Sequence, residues 1–284
     1  MRPTLFNIGS LGIHSYGVML VLGFSAGLLL AIREGRRRGI SRDDIIDCAL
    51  WVLLSGIIAA RLLYIFLDWD YFAGQWGRWI QIQKGGLSFH GALLGAAVAV
   101  TIFASRRKIG IARLYDALTP SLPLGYAIAR IGCFLNGCCQ GTPTHLPWGV
   151  AFPKALEGSA LVAQPVHPTQ IYASLLSLVV FGVVLLLRTR LHWQGQLFLS
   201  YLALYSAQRY AVEIYRSGAS AHVFPPLAPL TQAQVVSLVI ALAAAAALIL
   251  TERRRLSQPE PEPEPEPAPA PETEPTPKKK RTHR

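Results

Sequence analysis

The chain has 284 residues, 52% of them hydrophobic and only 15% charged, with a formal net charge of +11. Soluble domains carry about a quarter charged residues, and here the apolar residues fall in long blocks, so the composition excludes an ordinary soluble domain and points to a bilayer-embedded chain. The stretch 257–284 holds six Glu and five Lys or Arg, leaving 22 basic against 10 acidic residues in 1–256; these positive charges flank apolar blocks instead of forming one face, which argues against nucleic acid as a partner and for cytoplasmic loops.

Seven apolar segments follow one another, at 14–32, 45–66, 87–105, 114–133, 168–187, 195–215 and 232–251. Each is close to the roughly 20 residues a helix needs to cross about 30 Å of hydrocarbon. The first is long, and no A-x-A-like site follows it, so it reads as a retained span and not a cleaved signal peptide. The fourth and sixth are the least clean, because they contain Asp116, Arg130, Arg209 and Glu213.

The loops orient the spans. Arg33, Arg36, Arg37, Arg38 and Arg42 lie between spans one and two, Arg106, Arg107, Lys108 and Arg113 between three and four, Arg188 and Arg190 between five and six, and Arg253, Arg254 and Arg255 after span seven. The alternate loops are nearly free of basic residues. With seven spans every basic loop falls on one side, which predicts an N-terminus outside and a C-terminus in the cytoplasm. The expected fold is therefore all-α: a polytopic membrane protein of seven transmembrane helices over 1–256, a small periplasmic cap at 134–167, and a disordered Pro/Glu-rich cytoplasmic tail at 257–284 that ends in a basic cluster. Trp69, Trp76, Trp79 and Trp148 fall near the predicted outer interface, as aromatic belts do.

An ionisable group inside a bilayer is a functional candidate by default. Gly85-Gly86-Leu87-Ser88-Phe89-His90-Gly91 opens span three, and its glycines would let backbones pack closely around His90. Arg130-Ile131-Gly132-Cys133-Phe134-Leu135-Asn136-Gly137-Cys138-Cys139 closes span four. A guanidinium beside a Gly-rich, Asn-bearing turn suits an anionic phosphate. Tyr205, Arg209 and Glu213 are spaced i, i+4, i+8 and share one helix face; Glu213 can neutralise Arg209 or aim it at an anion. His167-Pro168-Thr169-Gln170-Ile171-Tyr172 enters span five, where His167 reads equally well as a cap-region residue. Tyr16 in Ile13-His14-Ser15-Tyr16-Gly17 reads alone as an interfacial anchor. Cys133, Cys138 and Cys139 are spaced poorly for a tetrahedral metal, and a disulfide among them suits an oxidising compartment better. No metal or cofactor is expected, and no phosphate loop, H-E-x-x-H or G-x-S-x-G is present.

These segments, together with Ala60-Arg61-Leu62-Leu63-Tyr64, occur in one order that resembles the prolipoprotein diacylglyceryl transferase family over about residues 5–251. The resemblance implies a seven-span, N-out enzyme that moves the diacylglyceryl group of phosphatidylglycerol to the lipobox cysteine thiol of a prolipoprotein, forming a thioether and releasing glycerol phosphate, the first step of lipoprotein maturation. It implies phosphate-binding roles for Arg130 and Arg209 and places His90 and Tyr16 beside the reacting centre. Asn136, Gly132 and Gly137 belong to the signature loop, Arg61 and Tyr205 to the substrate site, and Glu213 would orient Arg209. Its partners would be phosphatidylglycerol, lipobox signal peptides and membrane lipids, acting on a monomer. The chain departs from the family where Cys133 and Cys138 stand, positions that often hold Asn and Glu. The attacking thiol would come from the substrate, and His90 is the best-placed group to take its proton. The rival readings are a CDP-alcohol phosphotransferase, which would need an Asp-rich metal motif that is missing, and an anion or lipid transporter using Arg130, Arg209 and Glu213, for which no internal repeat is visible.

Overall fold

A computed structural model describes residues 4–8, 11–81, 85–152, 164–217 and 229–257. The Pro/Glu-rich tail and part of the expected cap therefore lie outside the described residues. The elements in chain order are β1 (Thr4–Ile8), β2 (Leu11–His14), α1 (Ser15–Arg37), α2 (Arg42–Leu67), α3 (Trp69–Phe72), α4 (Phe89–Arg106), α5 (Ile111–Leu118), α6 (Ser121–Asn136), β3 (Val150–Ala151), β4 (Pro165–Val166), α7 (Thr169–Leu187), α8 (Gln196–Glu213) and α9 (Gln232–Leu256).

Six helical segments are long and apolar enough to cross a membrane: α1, α2, α4, the α5–α6 pair, α7 and α9. The predicted sixth segment is α8, which runs alongside them but is too polar to be counted with them on that basis. The predicted fourth span is divided at Thr119-Pro120 into α5 and α6, because proline lacks the amide that would continue the ladder and its ring crowds the preceding turn. Two short antiparallel pairings, β1 with β2 and β3 with β4, are additions that the apolar pattern did not predict.

Local chemistry explains the helix ends. Ser41 caps α2 by accepting from the Asp44 amide at 3.0 Å, with Asp43 and Asp44 in the first turn, where carboxylates oppose the positive helix end. Thr231 and Gln234 form a reciprocal capping box on α9. Gly137 closes α6 at φ 74°, a left-handed conformation that costs glycine little.

The distribution of polarity is reversed relative to a soluble protein. Leu29, Phe66 and Val179 are exposed on helix surfaces, whereas Glu34, Asp116, Gln170, Gln208 and Glu213 are buried. A lipid solvent accepts the first set and would penalise the second.

The helices pack chiefly as α1 with α6, α2 with α4, α6 with α7 and α8 with α9. Small residues permit these approaches. A Cβ on Gly23 would lie 2.9 Å from the Gly125 carbonyl oxygen, and one on Gly95 would lie 2.5 Å from the Ala59 Cβ and 2.7 Å from the Ser55 carbonyl oxygen. Gly95→Val is accordingly expected to push α4 off α2 and lower stability by about 1–3 kcal/mol, the usual cost of overpacking; thermal unfolding in detergent checks this, and an unchanged midpoint would remove the close-packing argument.

The basic loops gather at one end. Arg188 pairs with the buried Glu34, Arg38 lies 3.5 Å from Asp116, Arg107 lies 2.6 Å from Asp47, and Trp193 Nε1 donates to Glu252 at 2.9 Å. Asp116, an intramembrane acid in the sequence, also accepts from the Gly195 and Phe198 amides at 2.8 and 3.0 Å. Its role is to join α5 to the start of α8.

Candidate active site

The opposite end holds the groups that could act on a substrate. Three clasps hold α7 against its neighbours there: Ser174 Oγ donates to Ala127 O and Ser177 Oγ to Pro123 O, both at 2.9 Å, and Gln208 Nε2 donates to Ala173 O at 3.1 Å. Each satisfies a buried hydroxyl or amide while fixing helix register. On this frame α6 presents Arg130 and Tyr126, α8 presents Tyr205, Arg209 and Glu213, and α1 presents Tyr16.

Arg130 Cζ lies over the Tyr126 ring, 4.6 Å from its centroid. Tyr126 meets Tyr205 edge to face at 5.6 Å, and Tyr205 feels the charges of both Arg209 and Arg130. Arg209 is ion-paired with Glu213, which is 2% exposed. The i, i+4 spacing makes that pairing possible. Arg130, in contrast, has no carboxylate partner among the described residues. Tyr16, in the first turn of α1, faces the charge of Arg130 and the thiols of Cys133, Cys138 and Cys139. Gly132 makes this approach possible, since a Cβ there would stand 3.3 Å from the Tyr16 Cα and 2.9 Å from the Met19 Cβ.

The signature loop is fastened from beneath. Thr169 Oγ1 donates to Cys139 O at 2.8 Å, Gln170 Nε2 to Cys138 O at 2.6 Å, and Gln140 Nε2 to Gly137 O at 2.8 Å. Gly141 N donates to His167 O at 3.0 Å and Thr142 N to Tyr215 O at 2.9 Å. Asn136 is exposed at the last turn of α6. His167 belongs to this scaffold: its Nδ1 lies 3.2 Å from the Tyr172 hydroxyl and its ring 4.9 Å from that of Tyr215.

Arg61 and His90 occupy a second locale, where α2 meets the start of α4. Arg61 is 8% exposed and gives its protons to main-chain carbonyls: Nε to Trp79 at 2.9 Å, Nη1 to Gly85 and Gly86 at 2.9 and 2.8 Å, and Nη2 to Arg78 at 2.5 Å. Gly86, at φ 77°, lets the chain lie against it. Beside Arg61 is a cavity of about 360 Å³ lined by Tyr64, Asp68, Tyr71, Phe72 and Arg78. His90 is exposed, its ring edge-on to Phe89 at 6.0 Å, and it makes no hydrogen bond among the described residues. No hydrogen bond, ion pair or ring contact among the described residues joins Arg61 or His90 to Arg130.

Three features went unassigned in the sequence. Tyr126 sits one turn before Arg130, a spacing that could have signalled the stacking. Arg216 lies just beyond α8, and its Nε is buried without a hydrogen-bond partner among the described residues while its charge acts on Cys139. The sulfurs of Cys133, Cys138 and Cys139, whose spacing reads poorly for a metal, lie within 4.8 Å of one another. Hydrogen bonds with the Cys133 and Cys138 thiols, followed by the Arg216 and Arg130 charges, hold the Cys139 thiol below its ordinary pKa against the effect of burial.

The profile of the family described as prolipoprotein diacylglyceryl transferase matches residues 3–250. The chain is 34% identical over 239 residues to the phosphatidylglycerol–prolipoprotein diacylglyceryl transferase of Clostridioides difficile (strain 630), covering 84% of this chain and 91% of that protein. It is 37% identical over 240 residues to the protein of the same name from Acaryochloris marina (84% of this chain, 86% of that one) and 37% identical over 244 residues to that of Synechococcus elongatus (84% and 83%).

Proposed function

The chain belongs to the prolipoprotein diacylglyceryl transferase family, and we propose that Arg130 and Arg209 hold the phosphate of phosphatidylglycerol while its diacylglyceryl group passes to the lipobox cysteine of a prolipoprotein. The chain is a membrane transferase with that donor and that acceptor class, and the transporter alternative finds no support in its relatives. One observation carries the assignment of the site: Arg130 stands partly buried beneath the loop with no carboxylate to neutralise it among the described residues. A cation at such a depth needs an anion, and a phosphodiester supplies one. Arg209, aimed by Glu213, is its partner across the Tyr126–Tyr205 pair.

The chemistry follows from charge. The acceptor thiol loses its proton, its sulfur attacks the glyceryl carbon next to the phosphate, a C–S bond forms, and the C–O bond breaks with its electron pair staying on the glycerol phosphate. Negative charge on that leaving group grows toward the transition state, and two fixed guanidiniums oppose it in a site of low dielectric. Tyr16 flanks Arg130, and Asn136, Gly132, Gly137 and Tyr205 shape the headgroup site. Arg61 acts as a positioning residue: its four carbonyl contacts hold the segment that leads to His90, the group we assign to take the thiol proton. The basic loops put their own end in the cytoplasm, so the site opens toward the periplasmic leaflet.

Purified protein given labelled phosphatidylglycerol and a lipobox peptide should yield a thioether; a peptide left unmodified would overturn the reading. In the same assay His90→Asn should lose more activity than His167→Asn, by about 10²–10⁴-fold in total if His90 is the base. Equal rates for the two variants would remove His90 from that role.

A further inference from the structure

We propose that the cavity between α2, α3 and the segment leading into α4 seats the acceptor chain just beyond its cysteine, and that Arg78 there selects acceptors with an acidic residue at the third or fourth position after it. The inference rests on the function proposed above and goes beyond it in naming where the acceptor lies and which charge it favours.

The place follows from the packing of α4 on α2. Gly91, next to His90, lies against Ala59 and Ala60: a Cβ on it would stand 2.4 Å from the Ala59 carbonyl oxygen and 2.9 Å from the Ala60 Cα. The Ser88 amide donates to the Ala60 carbonyl at 3.0 Å. His90 is therefore level with Ala60, and its ring is exposed. The cavity of about 360 Å³ begins beside that point, at Arg61, and continues past Tyr64 to Asp68 at the outer end of α2. Asp68 follows Ala60 by eight residues, about 12 Å along a helix. An extended polypeptide covers about 3.3 Å per residue. A cysteine whose thiol meets His90 thus puts the third and fourth residues after it beside Asp68 and Arg78.

The lining suits a polypeptide better than a phosphate. Arg61 is buried at the inner end with its donors on main-chain carbonyls and no carboxylate beside it among the described residues. Arg78 is half-buried, its guanidinium 4.7 Å from the centroid of the Tyr71 ring, and it makes no ion pair among the described residues. Asp68 makes none either. Two guanidiniums and one carboxylate leave one net positive charge among the described lining residues. Arg78, Tyr64, Tyr71 and Gln81 can donate hydrogen bonds, while Asp68 and Gln81 can accept them. A phosphate diester only accepts, and Asp68 repels it. A polypeptide brings main-chain donors and acceptors together, and an acidic side chain supplies the anion that Arg78 lacks. The donor phosphate is assigned to Arg130 and Arg209, so the two substrates do not compete for one cation.

The test measures transfer by the full chain in lipid nanodiscs of fixed phosphatidylglycerol content. Three lipobox peptides carry two Glu, two Gln or two Lys at the third and fourth positions after the cysteine. With wild type, KM for the Glu peptide should be about 5–10-fold below that for the Lys peptide, the scale of one charge-assisted contact at a half-buried site, with kcat nearly equal. Arg78→Glu should reverse the order and Arg78→Gln should level it. Both variants should fold, because the Arg78 side chain contributes its stack on Tyr71 and its carbonyl stays in place for Arg61. The spread should narrow at high salt. Fluorescent Cys→Ser forms of the peptides, which cannot react, should bind in the same order. One KM for all three peptides with wild type, or an order that Arg78→Glu leaves as it was, would overturn the inference. So would an Arg78→Glu variant that treats the peptides alike but needs more phosphatidylglycerol, a result that would put a lipid headgroup in the cavity. Binding in the expected order with no thioether from any peptide would refute the function and leave the acidic-peptide site standing.

Discussion

Arg130→Ala is expected to lower diacylglyceryl transfer by about 10²–10³-fold, the loss that follows removal of one preorganised donor to a developing anion, with almost no loss of stability. The two halves of that statement come from one fact. Arg130 has Tyr126 beneath it but no acid beside it among the described residues, so its removal orphans no buried charge. A residue whose only work is on the protein would behave in the opposite way. Arg130→Lys should also fall well short of wild type, because a lysine keeps the charge but not the planar fork that can hold two phosphate oxygens at once. Transfer from labelled phosphatidylglycerol and thermal unfolding on the same preparations make the comparison. Near-wild-type transfer by Arg130→Ala would exclude it from the phosphate site.

Arg209→Ala should be equally inactive and, unlike the first variant, unstable. Glu213 is fully buried in its side chain and its Oε1 already lacks a partner among the described residues. Removing the guanidinium leaves that carboxylate uncompensated, a change that typically costs about 3–5 kcal/mol when a buried pair is broken. The double variant Arg209→Ala/Glu213→Gln separates the two roles. Replacing the carboxylate with a neutral amide should recover most of the lost stability, while transfer stays down on the order of a hundredfold or more. If the double variant regained both stability and transfer, the pair would be a structural unit and Arg209 no ligand of the phosphate.

Much of the architecture is legible without coordinates. The helix pattern agrees with the apolar blocks to within a few residues at nearly every end, since an 18-residue apolar stretch in hydrocarbon must satisfy its own backbone and can do so only as a helix. The exceptions have local causes: Pro120 divides the fourth block, and α8 carries enough polar residues to weaken its apolar signal. The Arg209–Glu213 pair was readable too, being a matter of spacing along one helix.

Contacts between distant segments were not readable. Asp116 resembles a functional intramembrane acid until its partner Arg38, 78 residues away, is seen, and nothing in the sequence joins Glu34 to Arg188, 154 residues on. Arg61 looks like a substrate ligand, but four main-chain carbonyls occupy its donors. His90 and Arg130 sit in one list of motifs yet in separate locales.

By itself, then, the order of residues determined that this chain enters a membrane as helices, which end carries the positive loops, and which family it joins. Those properties depend on hydropathy, charge and motif, each carried by residues near one another in the chain. Only the tertiary structure decided that Tyr16 and Arg130 face each other from α1 and α6, that Tyr126 and Tyr205 bring Arg130 to the helix that carries Arg209, and that three cysteines too awkwardly spaced to suggest a metal put their sulfurs in one place. Helix neighbours in lipid are chosen by close packing of small residues and by a few buried polar clasps, and these depend on shape across long stretches of chain.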